Sequence, residues 1–183
     1  MADEMIQPLA QELLDCFCAA LIIEHGETFM VDGGTRPGEC CFRVGELASM
    51  DASLYQDLCC SGLAWLRVAD IFSTSTDFPA PDTTVVWSGC GPMAWGVTFE
   101  LGVMRCAPTG DVATIPECDE WTELQVNVMK DAKAMRQAFC CLFADLDPSS
   151  VAVGSWAPLP TTGGCAGGTW PVTVQIINTE CCE

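Results

Sequence analysis

Cysteine is the residue type through which this sequence could do chemistry, because the chain holds 14 cysteines in 183 residues. Thiolates bind metal ions and act as redox groups, and oxidised thiols form disulfides. Eight of the cysteines stand in adjacent pairs: Cys40-Cys41, Cys59-Cys60, Cys140-Cys141 and Cys181-Cys182. The single ones are Cys16, Cys18, Cys90, Cys106, Cys118 and Cys165.

The spacing of these cysteines argues against a metal site. Zinc sites usually present two cysteines separated by two to four residues. The sequence has no C-x-x-C, its nearest approach is Cys16-Phe17-Cys18, and its only histidine is His25. Neighbouring residues on a strand point to opposite faces, so the two sulfurs of an adjacent pair meet different partners. The pattern favours disulfides, alone or mixed with buried thiols. An all-thiol core and then a metal protein are the remaining interpretations.

Catalytic patterns are absent from the sequence. Nucleophilic catalysis usually pairs Ser or Cys with a histidine base. His25 follows Glu24 near the end of a predicted helix, which is typical of a solvated residue, and neither H-E-x-x-H nor G-x-S-x-G occurs. We therefore expect no enzyme and no cofactor, and we assign no catalytic, cofactor-binding or metal-binding residue.

Charge and composition narrow the class of partners. A length of 183 residues, half of them apolar, indicates one folded domain spanning 1–183. The formal net charge of this domain is −18. Only Lys130, Lys133 and Arg136 cluster among the seven basic residues, so tight phosphate binding is disfavoured. Two interpretations of the acidic charge remain: it provides solubility alone, or it forms a surface that does not bind DNA passing close to it.

The N-terminal residues carry no positively charged region typical of a secretory signal. No uninterrupted run of about 18 apolar residues predicts a membrane helix. Cysteine content suggests an oxidising environment, whereas these features suggest synthesis in a cytosol. A virus particle that assembles in a host cell and is then released accounts for both.

Hydrophobic periodicity predicts helices over Gln7–Glu24 and Asp119–Asp145. Strands are predicted over Leu63–Ala69 and Val97–Cys106, with a further short one at Cys40–Val44. The final two, Val151–Trp156 and Trp170–Ile177, are predicted to form a hairpin. The order of helix, three strands, helix and hairpin favours an α+β fold: an antiparallel sheet with two helices on one face.

Side-chain patterns refine this prediction. Asp119 is the expected cap of the second helix. The expected core stripe of that helix is Trp121, Leu124, Val128, Ala132, Met135, Phe139 and Leu142. The residues expected to share one face of the clearest strand are Val97, Phe99, Leu101 and Val103. Ser73–Thr84 and Ala107–Glu117 read as exposed loops.

Several disulfides are expected from this layout. The first choice is Cys106 with Cys118, since these residues flank one short connection. The second choice joins Cys16 or Cys18 to Cys140 or Cys141, because the two helices are expected to lie side by side. Cys165 has glycines on both sides, which lets the backbone bring its sulfur near a partner.

The chain resembles the cysteine-rich neck proteins of long-tailed phages of actinobacteria, above all the tail terminators, with other head-to-tail connection proteins as the alternative. The resemblance covers roughly residues 9–182. The segments that carry it are L-A-Q-E-L-L-D-C-F-C-A-A-L, E-C-C-F-R-V-G-E, D-L-C-C-S-G-L-A-W-L-R, F-E-L-G-V-M-R-C-A-P-T-G, C-D-E-W-T, A-F-C-C-L-F and G-G-C-A-G-G-T-W-P-V-T-V-Q.

The resemblance implies a subunit of a ring in the virion neck, hexameric in form and assembled in the host cytoplasm. The implied partners are other copies of the chain, the tail tube protein, the head-to-tail connector proteins and genomic DNA that passes without tight binding; no membrane is involved. Within this hypothesis we expect the C-terminal hairpin to join neighbouring subunits through Val172, Val174 and Ile176. The candidate channel residues are Asp77, Asp82, Asp111 and Glu117.

A second hypothesis of a different class is a cytosolic thiolate metal or redox protein. Such a protein requires bound metal or a thiol of lowered pKa in a positively charged setting. The acidic composition of the chain disfavours that setting.

Overall fold

The computed structural model describes residues 2–26, 40–42, 62–75, 77–82, 93–108, 115–144, 146–162 and 164–178. The helices are α1 (Ala2–His25) and α2 (Cys118–Leu142), with a short 3-10 helix at Pro148–Ser150. The strands are β1 (Cys40–Phe42), β2 (Leu63–Thr74), β3 (Met93–Cys106), β4 (Val151–Val153), β5 (Ala157–Thr162) and β6 (Cys165–Asn178).

The six strands form one sheet in the order β1-β2-β3-β6-β4, and β5 also pairs with β6. The predicted α+β class is therefore confirmed. The sheet is mixed, however, because β1 runs parallel to β2 while the other pairs are antiparallel. A parallel pair needs a crossover of a dozen or more residues, and the sequence from Phe42 to Leu63 is long enough to allow either direction.

The two central strands, β3 and β6, carry most of the sheet's core face. They pair along their whole length, with Val97 opposite Val174 and Phe99 opposite Val172. The predicted shared face of β3 is confirmed, since Val97, Phe99, Leu101 and Val103 are all fully buried. Each such side chain removed from water stabilises the fold by about 1.5–3 kcal/mol.

Helix α1 packs on this face as a core helix. Its Leu13, Phe17 and Leu21 are buried with the strand residues, whereas Glu12 and Asp15 are exposed. By length and composition alone its segment Met5–His25 would also be long and apolar enough to cross a membrane, although no uninterrupted apolar run occurs in it. In this fold the apolar face of the helix is used against the sheet and α2.

Helix α2 lies antiparallel to α1 and begins differently from the prediction. Its N-cap is Glu117 rather than Asp119, and the backbone N–H of Glu117 donates to the Glu120 carboxylate at 3.0 Å. This contact supplies half of a capping box. At the other end of the helix, the Phe139 ring meets the Trp170 ring edge-on at a centroid distance of 5.5 Å.

The predicted core stripe of α2 is confirmed only in its second half. Val128, Met135, Phe139 and Leu142 are buried, but Trp121 is exposed. Leu124 and Ala132 are half-buried, and the core also takes Asp131, Ala134 and Ala138. The stripe fails near the N-terminus because α1 ends opposite the middle of α2, so no described helix lies beside the first turns of α2.

The two strands predicted to form the C-terminal hairpin do pair, since β4 lies antiparallel to β6. The hairpin turn itself, however, joins β6 to the unpredicted strand β5, and Gly164 at φ +78° lies in this turn. The predicted subunit contact through Val172 and Val174 is wrong. Their side chains lie in the core, and the backbone of this stretch already pairs with β3 on one side and β4 on the other. Ile176 is half-buried against the same core.

Candidate functional site

A buried ion cluster joins α1, α2 and β3. The Arg105 guanidinium donates to both oxygens of the Asp131 carboxylate, from Nε at 2.6 Å and from Nη2 at 2.5 Å. His25 Nε2 lies 2.8 Å from Asp131 Oδ1 and 3.1 Å from Arg105 Nη2. The His25 and Asp131 side chains are only 5% and 2% exposed. The prediction of a solvated His25 is therefore wrong.

Local structure places each member of this cluster. Gly26, with φ +72°, ends α1 by donating its N–H to the Ile22 carbonyl at 2.8 Å, as is usual just beyond a helix. His25 thus becomes the last helical residue, opposite the middle of α2. Arg105 continues the core face of β3 beyond Val103, where the apolar layer ends. The sequence shows these three residues as isolated charges, so periodicity provided no signal for the cluster.

A second set of polar contacts joins the same end of α1 to α2. Glu24 accepts from Lys133 Nζ at 2.8 Å and from Gln137 Nε2 at 2.9 Å. The hydrogen bond from Lys133 and, less strongly, the one from Gln137 lower the pKa of Glu24 below its usual value. Together with the buried cluster, this contact holds the two helices in one register; the geometry suits a structural role.

Two disulfides hold α1 from both sides. Cys16 is bonded to Cys141 on α2, and Cys18 is bonded to Cys40 on β1. The predicted link between Cys16 or Cys18 and Cys140 or Cys141 is confirmed by the first of them. Because the bonded residues lie up to 125 positions apart in sequence, the pair cross-links the N-terminal helix to distant parts of the chain.

The first-choice disulfide, Cys106 with Cys118, is wrong. Cys118 is a free, exposed thiol in the first turn of α2. Cys106 and Cys165 are both disulfide-bonded, as expected for each of them. Cys106 ends β3 directly opposite Cys165, so the strand end points away from the start of α2. Short sequence separation did not bring the two sulfurs together.

Each adjacent pair in the described part of the chain contributes one cysteine to a disulfide. Cys40 is bonded and Cys41 is free; Cys141 is bonded and Cys140 is free and exposed. The two side chains of the β1 pair point to opposite faces of the strand, and those of the α2 pair lie about 100° apart around the helix axis. Within the described ranges, no group of three or more His, Cys, Asp or Glu could hold a metal ion. Cys59, Cys60, Cys90, Cys181 and Cys182 lie outside the described residues.

The sheet exposes apolar side chains at both of its margins. Phe42 and the β2 residues Val68 and Ile71 lie at the first margin, and Val153 of β4 lies at the other; all four are between 42% and 47% exposed. β1 covers only Ala64–Leu66, so no described strand pairs with that side of β2 beyond Leu66. These two margins replace the hairpin as candidate surfaces for other chains.

Of the candidate channel residues, Asp77 and Asp82 belong to the turn after β2, which folds back through a hydrogen bond from the Asp82 N–H to the Ser73 carbonyl at 2.9 Å. Glu117 is the exposed N-cap of α2. Asp111 lies outside the described residues. No protein-family model and no curated protein matches the sequence of this chain.

Proposed function

We propose that this protein is a structural subunit of the neck of a long-tailed phage, a tail terminator whose ring ends tail-tube growth and joins the tail to the head connector. The proposal begins from the resemblance noted in the sequence. The described parts of the segments that carry it lie in helices and strands of the fold: α1, β1, β2, β3, α2 and β6. The Cys16–Cys141 disulfide connects two of these segments directly.

The observation that carries the proposal is the exposure of apolar side chains at two opposite margins of one sheet. A closed ring of identical subunits uses a heterologous contact, in which one surface meets a different surface of the next copy. Phe42, Val68 and Ile71 at one margin and Val153 at the other supply two such surfaces. Strand margins that are not paired within a subunit are natural sites of contact with another chain.

Charge supports a neck through which DNA passes. A hexamer would carry 6 × −18 = −108 formal charges. Attraction to phosphate drives most non-specific DNA binding, so an acidic wall gives the passing genome nothing to adhere to. Duplex binding at micromolar or tighter affinity in low salt would contradict this part of the proposal.

The disulfides are consistent with a protein that is exposed outside the cell in released particles. Reducing systems keep thiols reduced in most cytosols, whereas disulfides persist on virion surfaces. The links from α1 to α2 and to β1 would form after release and would lock a fold that assembled beforehand.

Substitutions at the two margins test the ring. The variant Val68→Glu/Ile71→Glu disrupts one margin, and Val153→Glu disrupts the other. Each variant alone should form no rings, which native mass spectrometry and electron microscopy would show. Mixed together, the two variants should form a dimer of one copy of each, through their intact margins, and stop there. Ile23→Glu, on an exposed position of α1, is the matched control and should form rings.

The outcomes separate the alternatives. A wild-type protein that forms no ring, alone or on tail tubes, would overturn the proposal, as would variants that close rings normally. A ring that binds the head connector but leaves tube length uncontrolled would favour another head-to-tail connection protein. The thiolate metal or redox alternative draws on the exposed thiols of Cys118 and Cys140. It requires stoichiometric metal or a reactive thiol, which the same native masses and thiol labelling detect.

A further inference from the structure

The outer side of β2 is the longest strand edge that the described sheet presents. β1 pairs only with Ala64–Leu66, and the described part of the chain places no strand beside the following residues, Arg67–Thr74. A strand edge displays backbone N–H and C=O groups that can pair with a strand of another chain. The hydrogen bonds that these groups already make decide whether a partner can extend the sheet here or can only contact side chains.

Hydrogen bonds within the subunit engage this edge of β2. The Asp82 N–H donates to the Ser73 carbonyl at 2.9 Å, so the backbone groups of Ser73 point away from β3. Those of Ile71 point the same way, because backbone direction alternates along a strand. The Ile71 N–H donates to the carboxylate of the exposed Asp70 at 2.9 Å. The Asp70 side chain therefore occupies a donor that a strand added to β2 would need.

The shape of β2 also opposes strand addition. The pairing of β2 with β3 shifts register between Val68 and Asp70, which leaves Ala69 as an extra residue. A β-bulge of this kind bends the strand and increases its twist, so the regular spacing of groups on the outer side is interrupted. Bulges and inserted charges are common means by which sheets avoid pairing with other sheets at their edges.

The opposite margin of the sheet is protected in a different way. β4, like β1, has only three residues, and its edge ends at Gly154, whose N–H donates to the Pro171 carbonyl and whose carbonyl accepts from Trp170 Nε1. β5 continues this margin with Pro158 and Pro160, both exposed. Proline has no N–H and is confined in sheets to edges, bulges and first residues. A strand that approached β5 would find no donor at these two positions.

We infer that the sheet is closed to strand addition at both margins, with Asp70 as the protecting residue of β2 and Pro158 and Pro160 as those of β5. Partners at the margins therefore contact side chains, such as those of Val68 and Val153, and do not extend the sheet. That these partners are other copies of the chain rests on the proposed function. The closure of the edges rests only on contacts within one subunit.

Variants that reopen an edge test this closure. Pro158→Val/Pro160→Val restores two N–H donors to β5, and Asp70→Val releases the Ile71 N–H of β2. Each variant should associate through added strands at concentrations at which the wild-type protein stays soluble. Light scattering and thioflavin T fluorescence should therefore rise about tenfold or more above those of the wild type.

Three control variants separate edge opening from other effects. Pro148→Val and Asp119→Val remove an exposed proline and an exposed charge outside the sheet, and both should stay soluble. Pro158→Lys/Pro160→Lys restores the same two donors as the valine variant but places charges on the edge, so it should also stay soluble. The inference is overturned if the edge-opening valine variants remain as soluble as Pro148→Val and Asp119→Val. Association of the lysine variant to the same extent as its valine counterpart would overturn it as well.

Val153 distinguishes side-chain contact from strand pairing in the ring. Its N–H points outward, because the N–H of the next residue, Gly154, points toward β6. Val153→Pro removes this donor and keeps an apolar side chain, whereas Val153→Ala keeps the donor and shortens the side chain. Rings should persist in the proline variant and weaken in the alanine variant, and the reverse result would overturn side-chain contact. Absence of rings in the wild-type protein would overturn the proposed function, while the edge-opening variants would still decide the closure of the edges.

Discussion

Arg105 on β3 holds Asp131 on α2 through two parallel hydrogen bonds at a site where the carboxylate is almost completely removed from water. Paired geometry of this kind satisfies both oxygens at once and fixes the angle between helix and strand. His25 joins the pair from the end of α1, so the Asp131 carboxylate links α1, β3 and α2, which are far apart in sequence.

Removal of this carboxylate should destabilise the fold strongly. Asp131→Ala takes the counter-charge away from a largely buried guanidinium, and breaking a buried pair in this way costs about 3–5 kcal/mol. Guanidinium chloride unfolding, followed by tryptophan fluorescence, measures the change. Asp119→Ala, an exposed acidic residue of the same helix, should change stability by no more than about 0.5 kcal/mol. A loss below about 1 kcal/mol for Asp131→Ala would show that the cluster contributes little.

Stability should depend on pH through Glu24. Because its pKa is lowered in the folded state, mainly by the hydrogen bond from Lys133, folding favours the ionised carboxylate. This contribution is complete above the ordinary glutamate pKa of about 4.3 and is lost as the pH falls through the lower folded value. Glu24→Gln should therefore narrow the stability difference between neutral and acidic pH.

Urea unfolding from neutral pH down to about pH 3 provides the measurement. Glu12→Gln, an exposed glutamate on α1 with no ion pair in the described part of the chain, is the matched control. The Glu12→Gln protein should lose stability with falling pH in parallel with the wild type. The explanation fails if the Glu24→Gln protein does the same.

Loss of the Cys16–Cys141 disulfide should cost more than loss of Cys18–Cys40. In the chain-entropy model, loops of 125 and 22 residues correspond to about 5 and about 3 kcal/mol. Cys141→Ser and Cys40→Ser are compared by thermal unfolding without reductant. Cys140→Ser, which removes the neighbouring free thiol, should have little effect. Equal losses for both bonded cysteines would show that the entropy of the unfolded chain does not dominate.

Thiol mapping tests the pairing itself. Alkylation of the denatured, unreduced protein should label Cys41, Cys118 and Cys140 and leave Cys16, Cys18, Cys40, Cys141, Cys106 and Cys165 protected. Labelling of Cys16 and Cys141 in oxidised protein would contradict the link between the helices.

Gly102 should not tolerate a side chain. It lies directly opposite Trp65 in the β2–β3 register, and a Cβ at this position would occupy the space of the indole ring. Gly102→Ala should lower the free energy of unfolding by about 1–3 kcal/mol, because the ring or the strand must move. Combined with Trp65→Leu, the same substitution should cost much less than it does alone. Additive costs in this cycle would show that the two residues do not compete for space.

The sequence by itself determined both helices, the strands other than β5, the α+β class and the buried face of β3. Alternation of Val97, Phe99, Leu101 and Val103 identifies a half-buried strand because side chains on a strand alternate between faces. The stripe from Val128 to Leu142 identified the packed half of α2 for the analogous helical reason. These signals are local, since each depends on residues within a few positions of one another.

The tertiary structure alone decided how those elements meet. β1 runs parallel to β2, β6 lies inside the sheet, and Trp121 is exposed although its spacing matches the core stripe. The Arg105, Asp131 and His25 cluster and the free state of Cys118 depend on the same arrangement. A residue's periodicity shows which way its side chain points, but burial and bonding require a second element on that side. Only the packing of distant segments determines whether that element is present.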